Sequence, residues 1–310
     1  MNKNCNYVLA FDGWLKFNEY KWGLKPLRVR LTENDREELP FVEAVFYLDK
    51  KGRIVQPPLN PYLPVIFHST PTNKKPRLYR QWVNLSRLLV EEFKNRGMRG
   101  TIAFPPEIVD IRQWQWNGFL GEVRYTFYIA LPLNIEDVDH QVRKNIKKAE
   151  KSGFTWEIAT QKVYKEVIEC LLETEHRQNF QFRLTTRDLE VAKELLGEEI
   201  FRVYLCRDNS GEVASARIIL SFPGLRAIDW VAGTKRKFLS EGATQFLIWN
   251  ALNDLSHQGI KGFDFCGANL PTVSAMKASW GGSLTPYYAV SPLNFRSLIR
   301  LSLKYLKQIV

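Results

Sequence analysis

Asp264 and Lys277 lie close together in the last third of this 310-residue chain, and each has the kind of neighbours that chemistry requires. Lys277 is flanked by Met276 and Trp280, apolar bulk that lowers the local dielectric around an ammonium. A cation so placed stabilises an oxygen on which negative charge develops; a surface lysine on a short helix is the other reading. Asp264 alternates with Phe263 and Phe265 along an apolar stretch, so its carboxylate faces away from both. There it can orient a nucleophile or take its proton, or it can cap the short helix that begins near Asn269 or Pro271. Asn269 shares that ambiguity.

Other residues are suited to holding a substrate. Lys235, Arg236 and Lys237 precede Ser240, a plausible N-cap, so an anion there meets side-chain charge and helix-end N–H groups; a solvated turn is the alternative. His176, Arg177 and Arg183 fall around a break between two helices, where ordinary polar loop residues also occur. Arg112 with Trp114 and Trp116 could form an aromatic and cationic wall, or core and rim packing. Trp230 and Trp280 complete the candidate substrate-binding set. Metal chemistry is not indicated: Cys5, Cys170, Cys206 and Cys266 include no C-x-x-C pair, and His68, His140, His176 and His257 form no H-x-x-x-H pattern. Cys266 reads as a core thiol.

The elements that must position these residues repeat. Val45 to Val55 reads as strand, glycine turn and strand around Gly52, and Val203 to Val213 reads the same way around Gly211. An amphipathic helix over about 77–95 stops at Gly97 and runs into an apolar strand; a second, over about 240–258, stops at Gly259 and does likewise. The offset is 159 residues between the turn glycines and 162 between the stop glycines, so a duplicated α/β unit is expected. Strands are further predicted at 124–131, 200–208, 212–221, 225–232, 260–265 and 284–290, and two helices within 161–198 broken near 179–185. The length agrees with two domains.

Ile135 to Lys151 has apolar residues at helical spacing on one face and Arg143, Lys144, Lys147, Lys148 and Lys151 on the other. A final helix, Phe295 to Ile309, carries Arg296, Arg300, Lys304 and Lys307 on one stripe and Leu298, Ile299, Leu306 and Ile309 opposite. It either docks on the domain it closes or attaches reversibly to anionic lipid. Net charge is +11, from 44 basic and 33 acidic residues, spread over both halves, which favours polyanionic partners such as tRNA, nucleotide-linked substrates or anionic headgroups. With no run of 18 apolar residues and no signal peptide, a soluble, cytoplasmic chain without an integral membrane segment is expected.

The segment Gly259 to Tyr288 resembles the FemAB-like and BioF2-like branch of the GNAT acyltransferase superfamily. The matching residues are Gly259, Phe263-Asp264-Phe265, Met276-Lys277-x-x-Trp280-Gly281 and Tyr287-Tyr288. The basic helix Arg143-Lys-Asn-Ile-Lys-Lys-Ala-Glu-Lys-Ser-Gly153 is similar to a helix of the same group. Trp14, the Pro57-Pro58 turn and Asp110-Ile-Arg112-x-Trp114-x-Trp116 extend the resemblance over most of the chain.

The resemblance implies an α/β fold of two tandem GNAT-like domains, each a mixed, largely antiparallel sheet flanked by helices. The expected divisions are 1–133, 134–292 with the acyl-transfer motif, and a basic helix at 293–310. It implies acyl transfer to an amine with Lys277 at the tetrahedral intermediate. The glycine-rich phosphate loop typical of coenzyme A binding is missing from Gly233 to Ala243. An aminoacyl-tRNA donor is therefore expected, with a peptidoglycan precursor or peptide as acceptor and no bound cofactor. Acyl-CoA or acyl-carrier protein with a small amine or amino sugar is the alternative, and a non-enzymatic RNA-binding protein on a degenerate fold a further one. Anionic or lipid-linked acceptors and attachment to the inner membrane face fit the basic surface.

Overall fold

A computed structural model describes residues 7–33, 39–295, 297–299 and 302–303. They form two compact units, one drawn from 18–124 and 286 onward, the other from the segment up to 17 and 125–285.

The chain opens with α1 (Asp12–Trp22), and the first unit follows with β1 (Lys25–Thr32), β2 (Phe41–Leu48), β3 (Ile54–Val55), β4 (Val65–His68), α2 (Lys75–Arg96), β5 (Met98–Arg99), β6 (Ile102–Ala103) and α3 (Arg112–Trp116). β2 is central, antiparallel to β1, β3 and β4, and β5 lies parallel to β3. Flanked on both edges, β2 reads as the near-continuous apolar run Val45-Phe46-Tyr47. α2 buries Trp82, Leu85, Leu89 and Phe93, one stripe at helical spacing. Phe93 meets Phe46 edge-on at 5.4 Å, and Trp114 packs against Phe104 at 4.8 Å.

β7 (Phe119–Ala130) carries the chain into the second unit and β13 (Ser283–Pro292) carries it back. Between them come α4 (His140–Lys151), β8 (Thr155–Ile158), α5 (Tyr164–Gln178), α6 (Thr186–Ile200), β9 (Phe201–Arg207), β10 (Val213–Leu220), β11 (Ala227–Thr234), α7 (Ala243–His257), β12 (Gly262–Asp264) and α8 (Pro271–Ala278). The sheet of this unit runs β7-β12-β11-β10-β9-β8. Its pairs are antiparallel except β11 with β12, the two strands joined through α7. A crossover helix makes that parallel pairing possible. Val142, Ile146 and Ala149 of α4 and Phe246, Leu247 and Ala251 of α7 share one core with Phe127, Phe263 and Trp280.

The two expected hairpins have one turn in common. Asp49 Oδ1 accepts from the N–H groups of Lys51 and Arg53, and Asp208 Oδ1 from those of Ser210 and Glu212. Gly52 (φ 75°) and Gly211 (φ 86°) take the left-handed corner in each. The helix stops at Gly97 and Gly259 also hold. Some expectations need correction. Residues 135–151 form a 3-10 turn (Ile135–Asp137) and then α4, because Asp139 caps a fresh helix by accepting from Gln141 N at 2.7 Å. α7 is preceded by Gly242, not capped by Ser240. Arg296, Arg300, Lys304, Leu306, Lys307 and Ile309, expected in a final helix, lie outside the described residues, whereas Phe295, Leu298, Ile299 and Leu303 are exposed.

Candidate active site

β11 and β12 pair over only two positions, Ala227 with Phe263 and Ile228 with Asp264. β11 then continues along β10 to Thr234, while the chain after Asp264 leaves the ladder as a loop. Two parallel strands that part in this way leave backbone groups that other elements must satisfy. Phe265 N donates to Phe127 O at 3.1 Å and Ala268 N to Tyr125 O at 2.6 Å, which lays the loop along β7. Asn269 continues this, accepting from Tyr125 N at 2.9 Å.

Asp264 is almost fully buried. Its Oδ1 accepts from Thr126 Oγ1 at 2.6 Å and Cys266 N at 2.8 Å, and Thr126 Oγ1 in turn accepts from Gly267 N at 3.3 Å. Lys277, on α8, grips the same loop from the other end: Nζ donates to the carbonyls of Phe265 (2.6 Å), Cys266 (3.2 Å) and Gly267 (2.6 Å). An ammonium has three protons, and all three are engaged. Lys277, expected to face a developing oxyanion, has its charge bound to the loop's carbonyls in this structure. Burial pushes the Lys277 pKa down, opposed by Asp229, Cys266 and Asp264.

Cys266 closes the loop with a left-handed backbone (φ 54°), past the end of β12 rather than within the strand. Burial first, then Asp264 and Asp229, push the pKa of its thiol well above the usual range.

The sequence reading overlooked Arg217 and Asp229. Arg217 on β10 and Asp229 on β11 form an ion pair with both side chains more than nine-tenths buried, and Asp229 Oδ1 has no partner among the described residues. The signal was present: one charge in the apolar run Ala214 to Leu220 and its opposite in Ala227 to Val231. Opposite charges in adjacent buried strands imply each other, because either alone is costly.

A second cluster gathers three expected residues. His176 and Arg177 on the last turn of α5 and Arg236 after β11 line a 540 Å³ cavity with Glu173 and Leu239. Arg177 is anchored to Thr234 O and Thr174 Oγ1, each at 3.1 Å, and Glu173 accepts from Arg236 N at 2.8 Å. Lys235 turns instead to Glu212 at 3.1 Å. Arg183 lies in the 179–185 loop, its Nε donating to Gln181.

Trp230 and Trp280 require correction as substrate contacts. Trp230 packs edge-on against Trp14 and Phe17 at 5.2 and 5.7 Å, and Trp280 is 0% exposed in the core of its unit. Arg112 and Trp116 belong to the first unit. Arg112 forms a two-point pair with Asp110 (2.9 and 2.8 Å), lies over the rings of Tyr79 and Trp116, and lines a 320 Å³ cavity with Gln115 and Tyr288. Trp116 is 62% exposed. Among the described residues no group of three His, Cys, Asp or Glu could hold a metal.

Residues 137–272, which span α4 through the strand-end loop, match the family of acetyltransferase (GNAT) domains. This segment is similar to GNAT acetyltransferase domains, and the described chain as a whole has a FemX-like fold. Its structure is similar to the crystal structure of FemX, at 14% identity over 91% of this chain and 92% of that one, TM-score 0.64. It is also similar to the C-terminal domain of a putative lysylphosphatidylglycerol synthetase from Agrobacterium fabrum (13% identity, 86% and 85% covered, TM-score 0.54). A tandem GNAT protein from the clavulanic acid biosynthesis pathway shares the fold at 10% identity, with 87% and 84% covered and TM-score 0.50. No curated protein matches the sequence. At these identities the likeness is one of fold, and the expected tandem GNAT architecture is the one observed. Among the described residues no helix is long and apolar enough to cross a membrane.

Proposed function

We propose that this acyltransferase moves an aminoacyl group from aminoacyl-tRNA to an amine acceptor such as a peptidoglycan precursor or peptide. The amine nitrogen attacks the ester carbonyl carbon and gives up a proton. The C–N bond forms, the ester C–O bond breaks, and the ribose oxygen leaves with a proton. Lys277 and Asp264 serve as positioning residues, fixing the strand-end loop where β11 and β12 part, and the Lys277 charge polarises the three carbonyls it holds. His176, Arg177 and Arg236 hold an anionic part of the substrate in their cavity.

The segment between β11 and α7 carries the choice of donor. A nucleotide-thioester pyrophosphate calls for a run of backbone N–H groups open at a helix start. Here the one glycine at that start, Gly242, has its back against α4: a Cβ there would sit 2.2 Å from Asn145 O. Side-chain cations, not a backbone nest, are what this corner offers an anion. The FemX fold and a neighbour whose name is a synthetase of an aminoacylated lipid, lysylphosphatidylglycerol, agree with an aminoacyl donor. That second likeness, with the basic surface, extends the acceptor class to lipid-linked amines and hydroxyls at a membrane surface. The match to acetyltransferase domains favours the second reading, an acyl-CoA or acyl-carrier-protein donor.

Single-turnover transfer from aminoacyl-tRNA, acetyl coenzyme A and an acylated carrier protein, each with a pool of small amines and peptidoglycan precursors, separates the two. Transfer from the tRNA ester is expected. Transfer only from a thioester overturns the donor assignment.

A further inference from the structure

The basic face of α4 does nothing in the chemistry described above. Val142, Ile146 and Ala149 bury one side of this helix, and Lys144, Lys147, Lys148 and Lys151 stand on the other, all exposed. Lys148 is tied to Ser240 O at 2.8 Å. Lys144, Lys147 and Lys151 make no hydrogen bond or ion pair among the described residues. They recur at steps of three and four on one stripe, so like charges face each other at a spacing that is destabilising unless an anion is supplied.

Two contacts join this face to the substrate corner. The Lys148 bond reaches the turn before α7, and Asn145 backs onto Gly242 at the helix start. That turn also carries Arg236, which lines the 540 Å³ cavity and whose guanidinium makes no hydrogen bond or ion pair among the described residues, and Lys237, which is paired with Glu212. One cationic track therefore leads from the outside of α4 to the cavity.

We propose that the Lys144, Lys147 and Lys151 face is the docking surface for the sugar–phosphate backbone of the donor RNA, a partner assignment that rests on the aminoacyl-tRNA reading. The row spans about 10 Å at 1.5 Å rise per residue, roughly the rise of three nucleotides of one duplex strand. Its composition argues against a lipid surface. An interfacial helix needs apolar side chains to sink below the headgroups, and the exposed face of α4 has none, its aliphatic residues all being in the core. The amides of this helix, Gln141 and Asn145, are bonded to each other at 3.1 Å, so the contact argued for the lysines is to phosphates.

The test compares wild-type protein with K144Q/K147Q/K151Q, titrated against fluorescent tRNA transcript by anisotropy between 50 and 200 mM KCl, and against phosphatidylglycerol vesicles by sedimentation. Thermal melts confirm that the variant folds. Three lost phosphate contacts lower the slope of log affinity against log salt by about two to three and weaken binding about tenfold or more at 0.1 M salt. The same variant should acylate acceptor at the wild-type rate from a short aminoacyl-oligonucleotide that cannot reach α4. A wild-type protein that binds tRNA and a triple variant with equal affinity and slope would overturn the docking surface alone. Loss of vesicle binding with unchanged tRNA binding would assign the face to lipid and also overturn it. A wild-type protein with no saturable tRNA binding would remove the donor reading and the surface together.

Discussion

The two units share a hairpin turn almost atom for atom, yet differ at the strand that follows the helix. In the first unit α2 is followed by β5 and then by Ile102-Ala103, which is buried and apolar and held by a neutral amide: Gln56 Oε1 accepts from Ala103 N at 2.6 Å while Gln56 Nε2 donates to Asn60 O at 2.6 Å. In the second, counted from the helix-stop glycine, the position of Ile102 is taken by Asp264, and the loop beyond it is held by buried charges, Asp264 and Lys277. The scaffold problem is the same in both, and neutral groups solve it at lower desolvation cost. A unit that uses ions for a task an amide can perform is the one in which the field of those ions matters, and this is the unit that matches the acetyltransferase domain.

The sharpest way to break this contrast is Lys277→Ala. Turnover should fall by about a hundredfold or more, and because three carbonyls lose their donor the protein should also lose about 2–4 kcal/mol of stability. Gln56→Ala in the first unit should lower the melting temperature while leaving turnover within about twofold. Equal rate losses from the two would show that Lys277 is structural and nothing more.

Asp264→Asn keeps an oxygen for Thr126 and Cys266 N but removes the charge, so the fold should survive with a rate loss of about tenfold. Asp264→Ile, the residue its counterpart carries, leaves Cys266 N and Thr126 unsatisfied and should cost about 2–3 kcal/mol. If Asp264→Ile melts like wild type, the loop does not depend on that carboxylate.

Arg236→Gln should raise KM for the anionic donor by about tenfold with kcat nearly unchanged, the mark of uniform binding lost. An unchanged KM would empty that cavity of its role.

The smallest effects belong to the shared turns. Asp49→Ala and Asp208→Ala should each cost about 1 kcal/mol at neutral pH, Asp49→Ala somewhat more because the Arg53 side chain also loses its partner. The Arg53 side chain bonded to it holds the Asp49 pKa down to about 2. A carboxyl lowered on folding stabilises fully above its ordinary pKa of 3.8 and stops doing so as pH falls toward 2. The penalty of Asp49→Ala measured by chemical denaturation should therefore be greatest above pH 4 and shrink toward pH 2. A penalty independent of pH over this range would mean that the carboxylate's charge adds nothing to the turn.

Local features were legible because local residues determine them. The turn glycines, the helix stops and the break around 179–185 follow from backbone geometry within a few residues. Lys277 and Asp264 stand out in the sequence through their apolar neighbours, but where their charges point depends on a loop folded back along β7, and no local pattern encodes that. His176, Arg177 and Arg236 were read as two separate groups; the turn of the chain at Thr234 is what joins them. Trp230 and Trp280 misled because an indole that walls a cleft and one that fills a core look alike in sequence. Arg217 and Asp229 could have been paired by noticing that two apolar strands each carry one charge of opposite sign.

Gly242 limits what this chain can become. With Asn145 O where its Cβ would be, any larger residue at 242 has to lift α4 away from the start of α7. A larger residue at 242 would be felt first as a displacement of α4, and would shift its lysine face in the same step.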